Sequence, residues 1–223
     1  LIVHEIILEK KVLAKNDEVA ARNRETLRGA RIFSINLVSG PGAGKTTIIE
    51  KSAPYLKAAI GTPVVIEGDI ETDLDAMRLS KYEIPAKQIT TGKTCHLDAL
   101  MVEKALPWVL SQDAPRLLII ENVGNMVCPA EYDLGEEMLA AVLSTPEGDD
   151  KPLKYPAIFS KADVLIINKT DLTAHTNFNI DSARANALKI NPGLKIFETS
   201  CYTGAGIEEW AAFLSSMALN AGI

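Results

Sequence analysis

The sequence predicts an α/β fold, a mostly parallel sheet of about seven strands with helices on both faces. Two observations predict it. Short β-branched runs alternate with helical patterns along the chain, and one run, Leu117-Leu118-Ile119-Ile120, is apolar on both sides, as a strand covered by helices on both faces must be.

From Asn16 to Leu27, polar residues alternate with Val19, Ala20, Asn23 and Leu27 at helical spacing, and Gly29 supplies a stop, so a leading helix is expected over about residues 16–28. Strands are expected at Ile32–Val38, Pro63–Glu67, Lys87–Thr90, Arg116–Glu121, Met138–Thr145, Asp163–Ile167 and Lys195–Thr199, and a helix at Ile48–Ile60. Thr145–Pro156, with three prolines, Gly148 and charged residues, reads as a loop, either a hinge or a plain surface loop. With no internal repeat, residues 1–223 read as a single domain.

Composition narrows the function. Lys and Arg total 23 against 29 Asp and Glu, a net charge of −6, so no basic field is available for nucleic acid. No apolar run approaches the roughly 20 residues that span a bilayer, and Leu1–Glu5 lacks the plan of a signal peptide, so a cytoplasmic protein without a membrane role is expected. With Leu1 in place of Met, residues upstream are expected. Three cysteines, Cys95, Cys128 and Cys201, are too few for a disulfide framework and read as thiols or ligands.

The first strand runs into Ser39-Gly40-Pro41-Gly42-Ala43-Gly44-Lys45-Thr46-Thr47 and then a helix. Glycines let such a loop turn its N–H groups inward onto phosphates, the helix N-terminus adds a positive dipole end, Lys45 offsets β/γ-phosphate charge, and the Thr46 hydroxyl suits Mg²⁺. Strict spacing puts Gly at 39, where this chain has Ser39. The strand–loop–helix context sets this apart from a chance Gly-rich turn.

A later strand delivers Asn168-Lys169-Thr170-Asp171 to the carboxyl edge of the sheet, where open α/β sheets bind ligands. Asp171 can accept from guanine N1–H and its exocyclic amine, a donor pair adenine lacks. Together with the phosphate loop this predicts a P-loop GTPase. Similar GTPases imply that the Lys169 stem lies along the base and that Asn168 ties this loop to the phosphate loop. Thr199-Ser200-Cys201 resembles the segment whose N–H groups meet guanine O6, with Ser200 the first choice. Glu121, followed by Asn122-Val123-Gly124, occupies the place of a metal- or water-orienting Asp, and Gly124 can offer its N–H to the γ-phosphate. Asp69 is the leading carboxylate of the segment after the second strand; Asp73 and Asp75 suit the first turn of a helix.

Cys95 and His96 are adjacent soft donors, and Cys128 follows four residues after Gly124. They suit Zn²⁺ or Ni²⁺ but do not close a four-ligand site; two copies related by a two-fold axis would supply the set twice. A buried thiol and a satisfied histidine are the alternative.

In order, the phosphate loop, Gly68–Ala76, Cys95-His96-Leu97-Asp98-Ala99, Glu121–Asn125 with Cys128-Pro129, Glu147–Pro152 and Asn168–Asp171 closely resemble the HypB family of hydrogenase maturation GTPases, from about Asn16 to Leu214. The resemblance implies a GTP-dependent homodimer that binds GTP/GDP and Mg²⁺. It implies metal binding by Cys95, His96 and Cys128, nickel delivery to the [NiFe]-hydrogenase large subunit, and a HypA-like nickel- and zinc-binding partner. The family's metal-binding N-terminal extension is not among these residues. Other readings stand beside it: the GTPase of urease maturation, whose motif is Cys-Pro-His; a small-molecule P-loop kinase; and a protein-binding switch without metal.

Overall fold

In a computed structural model, residues 2–69, 74–92 and 94–221 are described. The order is α1 (Ile2–Gly29), β1 (Phe33–Ser39), α2 (Lys45–Ile60), β2 (Val64–Asp69), α3 (Leu74–Ser80), β3 (Ala86–Thr90), α4 (Ala99–Leu110), β4 (Leu117–Gly124), β5 (Met138–Ser144), α5 (Lys151–Lys154), α6 (Pro156–Lys161), β6 (Val164–Asn168), α7 (Ile180–Ile190), β7 (Lys195–Glu198) and α8 (Ile207–Asn220). The seven strands form one sheet in the order β3-β2-β4-β1-β5-β6-β7, and every pairing is parallel.

Period-two alternation divides the core. Leu117 and Ile119 of β4 join Ile35 and Leu37 of β1 against Ile48, Leu56, Trp210 and Leu214 of α2 and α8. Leu118 and Ile120 face the other way, against Leu27, Val102 and Leu106 of α1 and α4. β5 and β6 bury Leu143, Leu165 and Ile167 beneath Ile158, Phe159 and Ala183. Each of the seven expected strands is present, with ends displaced by at most three residues. At the far end of β4 the difference matters: the strand continues to Gly124, so Glu121 lies inside it, beside Leu37 of β1 and Glu67 of β2, rather than closing it.

Two expectations change. The leading helix begins at Ile2, not near Asn16. The expected loop Thr145–Pro156 is mostly helical turns: a 3₁₀ turn at Thr145–Glu147, then α5 and the start of α6. The Ser144 backbone N–H and hydroxyl both donate to Glu147 Oε2 at 2.7 Å, a capping box, and Pro146 occupies a first-turn position where its missing N–H costs nothing.

Buried asparagines staple α1 across two segments. Asn23 Nδ2 donates to Ala99 O (2.8 Å) and Leu134 O (3.0 Å); Ala99 N donates to Asn16 Oδ1 (2.9 Å), and Asn16 Nδ2 to Asp133 O (2.8 Å). Beneath them Asn36 Nδ2 donates to Glu136 Oε1 (3.1 Å) and Leu134 N to Glu136 Oε2 (2.8 Å). Burial pushes the Glu136 carboxyl from 4.5 up to about 7, against the opposing pull of the Asn36 hydrogen bond. Between those two values the folded protein holds a proton that the unfolded chain has released, so this group's contribution to stability is greatest at low pH and falls as pH rises toward 7. Glu136→Gln, neutral throughout, lacks that slope. The stability advantage of wild type over Glu136→Gln, read from denaturant midpoints, is expected to be larger at pH 5 than at pH 8; an equal advantage at both would contradict the raised value.

Candidate functional site

The carboxyl ends of β1, β2 and β4 open onto the loop Ser39–Gly44 ahead of α2. Gly44 caps α2 in a left-handed conformation (φ 100°), and a Cβ there would stand 2.6 Å from Asn168 Nδ2, so glycine is required both by conformation and by space. Lys45 is buried, and its Nζ donates to Ser39 Oγ at 3.0 Å, while Ser39 Oγ donates to Gly40 O at 2.6 Å. The off-pattern Ser39 therefore supplies a hydroxyl that holds the lysine.

Gly42, Gly44, Lys45, Thr46 and Thr47 line an open cavity of about 380 Å³ together with Asp69, Glu121 and Gly124. Gly40 and Ala43 are not among its walls. Gly40 lies against Glu147, and the buried Ala43 offers its carbonyl to Asn168 Nδ2 at 2.9 Å. Thr46 Oγ1 donates to Glu121 Oε1 at 2.7 Å. A hydroxyl beside carboxylates is a hard-oxygen donor set that suits Mg²⁺. Sequence reasoning missed Glu67 and Arg78, which line the same cavity. Asp73 and the side chain of Asp75, expected in a helix's first turn, fall outside the described residues.

A second cavity, of about 480 Å³, adjoins the first and is lined by Gly44, Thr47, Asn168, Lys169, Asp171 and Cys201, among others. Lys169 Nζ donates to Gly42 O at 2.7 Å, and Thr199 Oγ1 donates to Asn168 Oδ1 at 3.1 Å. Ser200 does not take its expected place. Its N–H donates to Ala205 O (2.9 Å), and its hydroxyl makes a short hydrogen bond to Asp171 Oδ1. Ser200 thus orients the carboxylate from behind, because the tight turn Ser200–Gly206 folds its N–H back onto the chain, and Cys201 is the residue of this segment that reaches the cavity wall. Burial pushes the Cys201 thiol up to about 11, which keeps it neutral.

On the other side of β4, Cys95, His96 and Cys128 converge. One ligand atom from each lies within 4.8 Å of the other two, and the two Sγ atoms are 3.0 Å apart. Asn125 Nδ2 donates to Cys95 O (3.2 Å), Leu97 N donates to Asn122 Oδ1 (3.1 Å), and the His96 ring stacks on Tyr132 with centroids 4.0 Å apart. His96 Nδ1 is buried without a hydrogen-bond partner among the described residues. Desolvation lowers the His96 pKa, favouring the neutral imidazole that ligates metals; the Cys95 sulfur, and then burial, raise that of Cys128. Two sulfurs and an imidazole nitrogen suit Ni²⁺ or Zn²⁺ and leave room for further ligands.

The two sites share one strand end. Gly124 meets the phosphate loop so closely that a Cβ on it would stand 2.9 Å from Pro41 Cα. Four residues later, Cys128 begins a 3₁₀ turn facing Cys95.

Residues 34–198 match the model of the "CobW/HypB/UreG, nucleotide-binding domain" family. The chain is 46% identical to the hydrogenase maturation factor HypB of Azotobacter chroococcum, over 93% of this chain and 67% of that protein. It is 40% identical to the hydrogenase/urease maturation factor HypB of Helicobacter pylori, over 94% of this chain and 87% of that one. A crystal structure of H. pylori HypB in complex with nickel superposes with a TM-score of 0.87 at 40% identity, covering 92% of this chain and 96% of the other.

Proposed function

The chain belongs to the HypB group of the CobW/HypB/UreG nucleotide-binding family, and on that footing we propose that it is a GTP-hydrolysing metallochaperone for nickel insertion into [NiFe]-hydrogenase. In the nucleotide site, Lys45 and the loop N–H groups hold the β- and γ-phosphates, and the Asp171 carboxylate, braced by Ser200, takes the guanine edge. Thr46, Glu121 and Asp69 hold Mg²⁺, which supplies positive charge for the phosphates when bound. In this reading Gly124 N–H and Glu121, both on the wall of that cavity, orient the γ-phosphate and its attacking water.

Nickel, or zinc in its place, is cargo held by Cys95, His96 and Cys128, and a second copy of the chain completes the ligand set. Val127, next to Cys128 in sequence, is an exposed apolar side chain (57% exposed) of the kind that a dimer contact would bury. Family membership supports a HypA-like partner and the hydrogenase large subunit as recipient.

The observation that carries the coupling of the two sites is the contact of Gly124 with Pro41, four residues from Cys128. A γ-phosphate drawing on Gly124 shifts the start of the segment that ends in a metal ligand, and a metal at Cys128 reciprocally alters nucleotide affinity. The test is to titrate Ni²⁺ into the GDP-bound and the non-hydrolysable-GTP-bound protein while recording mass by light scattering. Affinities are expected to differ about fivefold or more, with dimers favoured by the GTP analogue. Equal affinities and an unchanged mass would sink the coupling, and Cys128→Ala is expected to remove the tight site in both forms.

A further inference from the structure

Arg78 reaches from α3 to α2. Its Nη2 donates to Thr47 Oγ1 at 3.0 Å and to Glu50 Oε2 at 2.9 Å, and it lines the phosphate-side cavity. Glu50 is a buried carboxylate one turn along α2, so the arginine head is anchored by an ion pair on the helix that follows the phosphate loop. Thr47, with Gly44 and Lys169, borders both cavities. In a nucleotide laid across them, that shared border is where the ribose passes to the first phosphate.

A threonine hydroxyl has one proton and two acceptor lone pairs. Arg78 occupies a lone pair of Thr47, which leaves the proton to be donated elsewhere. The neighbouring Thr46 spends its proton on Glu121. The two threonines therefore divide the work: one hydroxyl turns to the carboxylates, and the other is held by a cation at the junction of the cavities.

We propose that Arg78 is a positioning residue of the nucleotide site: anchored by Glu50, it orients Thr47 so that the hydroxyl proton meets the α-phosphate. This rests on the reading of the cavities as a guanine-nucleotide site. It predicts a pattern opposite to that of Lys45. The α-phosphate is common to GMP, GDP and GTP, so Arg78 governs affinity for all three and leaves the chemical step alone.

The experiment measures binding of guanosine, GMP, GDP and a non-hydrolysable GTP analogue, and steady-state GTP turnover, for wild type, Arg78→Gln, Thr47→Val and the double variant. Arg78→Gln is expected to weaken all three nucleotides by about 10-fold or more, to leave guanosine binding unchanged, and to raise KM with kcat within about threefold. Because Arg78 acts through Thr47, the double variant is expected to bind no more weakly than the worse single variant. Unchanged nucleotide affinity in Arg78→Gln, even with lowered thermal stability, would overturn the proposal, as would a fall in kcat at unchanged KM or fully additive losses. Should Arg78→Gln fail to fold, Arg78→Lys decides: it keeps a charge beside Glu50 without the planar fork, and a loss of GMP-over-guanosine preference supports the assignment while a retained one refutes it. Failure of wild type to bind any guanine nucleotide would instead remove the site itself.

Discussion

Lys45→Ala is expected to lower GTP turnover by about 100-fold or more. The ammonium is buried at the foot of α2, on the wall of the phosphate-side cavity, with Nζ 3.0 Å from Ser39 Oγ. Charge on the oxygens between the β- and γ-phosphates builds up as the terminal phosphoryl group leaves, and removing one preorganised cation from a shielded site costs about 3–4 kcal/mol in the transition state. The fold is expected to survive, because Ser39 Oγ keeps its bond to Gly40 O and the α2 core residues Ile48, Ile49 and Leu56 are untouched. Phosphate release under saturating GTP, beside a thermal melt, checks this. A kcat within threefold of wild type would refute the role, and a collapsed melt would assign Lys45 to folding instead.

The sheet was legible because its strands bury both faces. Leu117–Ile120 cannot satisfy a one-sided helix or a half-exposed strand, and the same holds for Val164–Ile167. Strand ends were less so: apolar residues stop at Ile120, yet β4 continues through Glu121, Asn122, Val123 and Gly124, because Leu37 of β1 and Glu67 of β2 lie beside Glu121 and the sheet carries polar residues up to the site. Nothing marks the beginning of α1, since neither a capping residue nor a glycine precedes Asn16. Thr145–Pro156 carries a helical signal, since Ser144 and Glu147 are spaced as a capping box, but the surrounding prolines and Gly148 are equally the marks of irregular backbone.

In the candidate site, residues that stand in a spaced motif are readable from sequence, and those that only packing brings to it are not. The run Gly42–Thr47 is a local solution to holding an anion, readable from spacing. Ser39 departs from the spacing rule, and only the fold gives it a purpose, as acceptor for Lys45 Nζ. Arg78 carries no local signal; it reaches Thr47, 31 positions away in sequence, only because α3 packs beside α2. Cys95 and Cys128, 33 positions apart, are suggested as a pair by their soft-donor chemistry and more strongly by the resemblance, while nothing in the sequence places Tyr132 against His96.

Asp171→Asn is expected to move base preference from guanine to xanthine, with GTP binding weakened by about 100-fold. The Asp171 carboxylate has about four acceptor positions; Ser200 Oγ–H occupies one on Oδ1, and others remain for a base in the adjoining cavity. Guanine presents two parallel donors, N1–H and the exocyclic amine, which a carboxylate accepts together. Asparagine replaces one acceptor oxygen with a donor NH₂, so guanine's amine faces another donor and both are left unsatisfied, at about 1–3 kcal/mol for each unmet group. Xanthine has a carbonyl where guanine has the amine, and it restores the pair. The Ser200 bond makes the geometry stricter, since the side chain cannot swing aside without giving it up. Competition of GTP, XTP, ITP and ATP against a labelled guanine nucleotide gives the readout. In wild type ITP, which lacks the amine, is expected to bind more weakly than GTP, and ATP more weakly still; in the variant XTP is expected to bind best. Retained preference for GTP in Asp171→Asn would refute Asp171 as the base-selecting group and place that selection on the neighbouring wall of Lys169, Cys201 and Tyr202.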